Sequence, residues 1–145
     1  MLAAGGPQVA HAVAARPGDA RAVRPVAIYV SNGGAAKPIP TGHSPHGFAF
    51  SRNGKLVYVV DAASGTVAAI STADNKIAKL ITVGSVSTEP FAIAPDLIVI
   101  SQDGKTACVM NFLTSGTVTP IRLATNMHGK PIKVGKDPDG LVLVP

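Results

Sequence analysis

Tryptophan is absent from this chain, cysteine and glutamate occur once each, and aromatic residues make up only 4% of it. Each shortage excludes something. With Cys108 alone, neither an intramolecular disulfide nor a thiolate zinc site can form. Cys108 lies in the apolar run Ala107-Cys108-Val109-Met110, where a buried, inert thiol is expected rather than a nucleophile. A core without tryptophan must be made of Val, Ile, Leu and Ala. No apolar stretch approaches the roughly 20 residues of a membrane-spanning helix. The opening Met1–Gly6 has no basic start and no sustained apolar run, so it does not read as a signal peptide. Charged residues are only 14%, against 46% apolar ones, which is not the balance of a disordered chain.

Catalytic vocabulary is equally sparse. There is no Gly-x-Ser-x-Gly elbow, phosphate-binding loop or His-Glu-x-x-His motif. Ser44, Ser64 and Ser115 lie in turn-like segments without a base at a recognisable spacing. Glu89 is the sole glutamate, and most of the aspartates (Asp19, Asp61, Asp74, Asp96, Asp103, Asp137 and Asp139) sit where turn formers are expected.

The chain does have 15 glycines and 12 prolines, which break long helices and punctuate short strands. Its net charge is +5 and its pI about 9.7. The basic residues are dispersed: Arg16, Arg21 and Arg24 near the start, then Lys76, Lys79, Lys105, Lys130, Lys133 and Lys136. None form a run, and no aromatics interleave with them as base stacking requires. A solvated, mildly basic surface is the favoured reading. Single-stranded DNA binding is the lesser one, and it would carry a steep salt dependence.

Internal repetition decides the fold. Asn53-Gly54-Lys55-Leu56-Val57-Tyr58-Val59-Val60-Asp61 superimposes on Asp103-Gly104-Lys105-Thr106-Ala107-Cys108-Val109-Met110-Asn111. The match continues from Ser64-Gly65-Thr66-Val67 to Ser115-Gly116-Thr117-Val118, and from Ile81-Thr82-Val83-Gly84 to Ile132-Lys133-Val134-Gly135. Asn-Gly and Asp-Gly supply the positive φ angles of tight hairpin turns, and the runs between them have strand length. Four strands recurring every ~50 residues without a helix are the pattern of propeller blades.

In the better copy, strands are expected at about 46–51, 56–61, 66–71 and 78–83. In the other they are expected at about 91–100, 106–111, 117–122 and 130–134, with a bulge or protruding loop around Ala94–Val99. Phe48, Phe50, Val57, Val59, Val67, Ile70, Ile93, Val109, Val118 and Ile121 are the expected core. Ala27–Asn32 matches a second strand and Lys37–Gly42 a fourth, so a third strand is missing between them. Pro138–Val144 matches a first strand and is expected beside Ala27–Asn32 if the ring closes. The division that follows is a poorly ordered segment 1–25, a partial blade 26–42, blades 43–84 and 85–135, and a first strand 136–145. A short Ala-rich helix is expected at 8–15.

The segments Tyr29-Val30-Ser31-Asn32, Tyr58-Val59-Val60-Asp61 and Cys108-Val109-Met110-Asn111 resemble the Tyr-Val-Thr-Asn strand of the YVTN family of β-propeller repeats. Pro45-His46-Gly47 and Gly116–Ile132 look similar to bacterial members, and the likeness covers residues 26–145. It implies an all-β partial propeller of about three four-stranded antiparallel blades, fewer than the four to eight of a closed ring. The resemblance also implies an extracellular, periplasmic or cell-surface setting and a role in binding. For propellers, however, fold does not assign function.

His43 and His46 are the only close histidine pair; with His128 or Asp139 they make a conceivable metal set, against the plainer reading of loop histidines near a propeller face. His43, His46 and Asp139 are therefore the candidate ligand-binding residues, with Phe91 or a residue near it, and Asp139, as repeat counterparts of His46. Asp61 and Asn111 recur at a strand end, where hydrogen bonding to a turn explains them better than catalysis. The leading expectation is a non-enzymatic binding or scaffold module for an unknown protein or small molecule, with no metal, cofactor or catalytic residue assigned. A lactonase-like or cofactor-associated propeller enzyme is the alternative. An open arc of about three blades is expected either to belong to a larger propeller, the favoured reading, or to assemble from two copies through its open blade edges.

Overall fold

The computed structural model describes residues 9–13, 27–31, 38–84, 94–112 and 116–144. These form twelve strands and a single 3-10 turn, Ala62–Ser64. The chain is an all-β partial propeller. Its first sheet contains β1 (Val9–Val13), β2 (Ala27–Ser31) and β3 (Pro38–Pro40) in that order. The second runs β4 (Pro45–Phe50), β5 (Leu56–Asp61), β6 (Thr66–Ser71) and β7 (Lys76–Thr82). The third runs β8 (Ala94–Ile100), β9 (Thr106–Phe112), β10 (Thr117–Arg122) and an outer edge divided into β11 (Met127–His128) and β12 (Ile132–Lys133). All pairings are antiparallel.

The repeated turns are alike down to their hydrogen bonds. Gly54 and Gly104 take φ of 66° and 68°, angles that cost other residues strain. Asn53 Oδ1 accepts from the Lys55 amide at 3.1 Å, and Asp103 Oδ1 accepts from the Lys105 amide at 3.0 Å. Arg52 then ties one turn to the other, its Nε donating to the Ser101 carbonyl at 3.2 Å.

Packing follows the alternation of strand side chains. One face of the second sheet (Val57, Val59, Ala68 and Ile70, with Phe50) packs with Ile39 of the first. The other (Tyr58, Val60, Val67, Ala69, Ile81 and Val83) meets Ile98, Ala107, Val109 and Ile121 of the third. A sheet buried on both faces reads as a continuous apolar run, as Leu56–Val60 does.

Several expectations need correction. Residues 8–15 include strand β1, not a helix: Val9 and Val13 frame an alternating segment whose backbone completes the edge of β2. β3 pairs directly with β2, so it occupies the third-strand position rather than the fourth. Ala94–Val99 is no protruding loop, since it belongs to β8; the other form of that expectation, a bulge, is met by the register shift between Pro95 and Leu97. The fourth strand of the third blade is broken around Gly129–Pro131. Pro120 faces that edge without an N–H, and its carbonyl accepts from Gly129 N at 2.7 Å.

Residues 134–144 carry no strand; Val142 and Val144 are 79% and 81% exposed. The expected pairing of Pro138–Val144 with Ala27–Asn32 is displaced because β1 and β3 already occupy both edges of β2. Of the expected core, Phe48 is exposed, Phe50 and Val118 are half-buried, and Ile93 lies outside the described residues. Cys108 is half-buried, and burial pushes its thiol above the ordinary range.

Candidate functional site

Antiparallel topology gathers the start of β4, the end of β5, the start of β8 and the end of β9 at one end of the sheets. A cleft of about 260 Å³ opens there, lined by Ser44, His46, Ala62, Ala63, Pro95, Asp96 and Phe112. Inside it His46 Nδ1 lies 2.6 Å from Asp96 Oδ1, joining the first strands of two successive blades.

The repeat explains why these two meet. Pro45 pairs with Asp61 and Pro95 with Asn111; Phe48 pairs with Val59 and Ile98 with Val109. Each first strand therefore carries one more residue than its partner just after its proline, which turns the backbone locally. His46 and Asp96 follow those prolines and are each other's counterparts, so Asp96, not Phe91, is the equivalent of His46. Gly47 permits the approach. A Cβ there would overlap the Asp96 carbonyl oxygen and stand 2.9 Å from Leu97 Cα.

The loop before β4 is pinned from beneath. The His43 amide donates to Ser64 Oγ at 2.7 Å, and the His43 and Ser44 carbonyls accept from the Ala63 and Ala62 amides. Ser44 sits at φ 54°, a left-handed conformation unusual for a residue with a Cβ. Its hydroxyl makes no hydrogen bond to a described residue. Below the loop, Asp61 is buried; its Oδ1 accepts from Thr41 Oγ1 at 2.7 Å, while Oδ2 has no partner. Burial holds the Asp61 carboxyl above its usual range, against the opposing pull of the Thr41 hydroxyl and nearby His43.

The three residues singled out from sequence separate. His46 lines the cleft, with its side chain 60% exposed. His43 is exposed and does not line it; Asp139 is exposed in the strandless segment. Among the described residues, no three His, Cys, Asp or Glu side chains gather as a metal set. Asp96 and Ser44 were not singled out as site residues. The signal for Asp96 was the recurrence of proline before it and before His46, read backwards from the Gly54 and Gly104 turns.

An imidazole held at Nδ1 by a carboxylate leaves Nε2 to exchange a proton with a bound molecule. Apolar Ala62, Ala63, Pro95 and Phe112 form much of the wall on which such a molecule would rest.

The sequence matches no family model and no curated protein. Solved structures do share the fold. Hydrazine synthase from Kuenenia stuttgartiensis superimposes with a TM-score of 0.65 at 21% identity, over 77% of this chain and 30% of that one. The periplasmic gluconolactonase of Pseudomonas aeruginosa gives 0.61 at 18%, over 78% and 36%. A candidate 6-phosphogluconolactonase from Bacteroides uniformis gives 0.53 at 22%, over 90% and 46%. The chain thus spans less than half of each of these proteins.

Proposed function

We propose that this chain carries the water-activating part of a lactonase-like propeller enzyme that opens small lactones or comparable cyclic esters. The observation that carries this reading is the 2.6 Å contact between His46 Nδ1 and Asp96 Oδ1 at the mouth of an inter-blade cleft. In the proposed reaction, Asp96 accepts the Nδ1 proton in a hydrogen bond and so presents Nε2 as the base. Nε2 takes a proton from water as its oxygen bonds to the lactone carbonyl carbon. The ring C–O bond then breaks, and the imidazolium returns the proton to the leaving alkoxide, giving a hydroxy acid. The Ser44 hydroxyl, at the same cleft, is placed to donate to the carbonyl oxygen as charge develops.

Two of the three similar structures bear gluconolactonase names, which supports testing sugar lactones first. The periplasmic one also favours an extracellular or periplasmic setting. Within this reading the chain is of the YVTN repeat type, with blades at 43–84 and 85–135 beside the first sheet of β1, β2 and β3, and it self-associates through open blade edges. The test is hydrolysis of glucono-δ-lactone and a panel of simple lactones above the spontaneous rate. His46→Ala is expected to lower the catalysed rate by about 100-fold or more. Unchanged turnover in that variant would refute the assignment.

A second reading, a binding module without turnover, is favoured by the apolar wall of Ala62, Ala63, Pro95 and Phe112. Saturable binding of a lactone that is returned unhydrolysed would select it.

A further inference from the structure

The end of the sheets opposite His46 holds the turns 51–55, 71–76, 101–105 and 122–127. Between them the second and third blades diverge around a cavity of about 810 Å³, some three times the His46 cleft in volume. Leu56, Ala73, Leu123 and Ala124 give it apolar walls, and Lys55 and Lys105 stand exposed at its border.

Tyr58 is the informative residue. It is 2% exposed, lines this cavity, and makes no hydrogen bond to any described residue. Its hydroxyl is not one of the sealed polar atoms of the molecule, so it opens onto the cavity, where a bound molecule can reach it. The other hydroxyls nearby are already engaged: Thr72 Oγ1 donates to the Gly54 carbonyl at 2.7 Å and Ser51 Oγ to Asn53 Oδ1 at 2.8 Å. Lys55 makes no ion pair among the described residues, and its neighbour in the turn is Asn53, where Lys105 has Asp103.

We propose that this cavity is a second ligand site, separate from the His46 cleft, for a flat amphipathic carboxylate. Its hydrogen-bonding inner end meets the Tyr58 phenol, its apolar body lies between the blades, and its carboxylate faces Lys55 and Lys105.

Titration of the full chain with 6-hydroxy-2-naphthoate, followed by calorimetry or ligand fluorescence, tests this directly. The analogues 2-naphthoate, lacking the hydroxyl, and 2-naphthol, lacking the carboxylate, are expected to bind more weakly. Tyr58→Phe, which keeps the ring, should weaken the parent probe about tenfold and abolish its advantage over 2-naphthoate. Lys55→Gln with Lys105→Gln should cost about threefold and abolish the advantage over 2-naphthol. Ala124→Phe, at an exposed rim position, should block all three probes while leaving the thermal melt unchanged. Absence of saturable binding would overturn the proposal. So would affinities that ignore all of these substitutions, since they would place the probe elsewhere, for instance on the exposed apolar side chains Ile132 and Val134.

Discussion

The second and third blades are two copies of one design placed in different surroundings. Their turns, central strands and first-strand irregularities correspond residue for residue, yet equivalent side chains differ sharply in exposure. Ile81 is 3% exposed and its counterpart Ile132 is 58%; Val83 is 5% and Val134 is 45%. The second blade lies between two neighbours, whereas no described residues cover the far face of the third. Burial here is a property of a blade's place in the stack, as expected where each repeat buries its apolar face only against the next.

The contrast extends to polar positions. Asp61 and Asn111 end equivalent central strands and both are buried. Asn111 Nδ2 donates to Thr117 Oγ1 and Thr119 Oγ1, each at 2.9 Å. Asp61 has only acceptors when ionised, and takes one hydroxyl from Thr41. Each keeps one buried oxygen without a partner, Asp61 Oδ2 and Asn111 Oδ1, but the amide makes two hydrogen bonds to side chains where the carboxyl accepts one from Thr41.

Truncation should break the symmetry most visibly. Ile81→Ala is expected to cost about 2–4 kcal/mol in chemical denaturation, whereas Ile132→Ala should fall within about 0.5 kcal/mol of wild type. Equal losses would mean that the far face of the third blade is covered in solution. Gly47→Ala comes next, at about 1–3 kcal/mol, because its methyl group forces β4 and β8 apart. Loss of lactone turnover should accompany it.

The exchange of Asp61 and Asn111 gives the smaller effects. Asn111→Asp places a carboxylate where an amide donates twice, and should cost about 1–3 kcal/mol at neutral pH. Asp61→Asn should be close to neutral or stabilising there. The sign follows from linkage: the folded-state carboxyl of Asp61 lies above its unfolded value of 3.8, so the folded chain holds that proton more tightly. The resulting stabilisation is fully present below the unfolded value and is lost as pH rises through the folded one. Denaturation at pH 4 to 7 should show that slope in wild type and less of it in Asp61→Asn.

The architecture was legible because short glycine turns and apolar runs are local signals, and repetition multiplied them. β5, β6 and the start of β9 fall where the Gly54 and Gly104 turns put them. What escaped depended on partners. β1 is a strand because β2 offers it an edge, although its Ala content pointed to a helix. Pro138–Val144 has a first strand's pattern but no second strand alongside it. His46 was visible as a polar residue at a strand start; its pairing with Asp96 was not. Their juxtaposition spans 50 positions of sequence and depends on blade stacking and on the bare backbone at Gly47.

The claim that most needs testing is that His46 and Asp96 act as a unit. A double-mutant cycle of His46→Ala and Asp96→Asn on kcat/KM for lactone hydrolysis addresses it most directly. Residues acting through one another are strongly non-additive, so the double variant should be no slower than His46→Ala alone. Multiplying losses, or full activity in Asp96→Asn, would contradict the account.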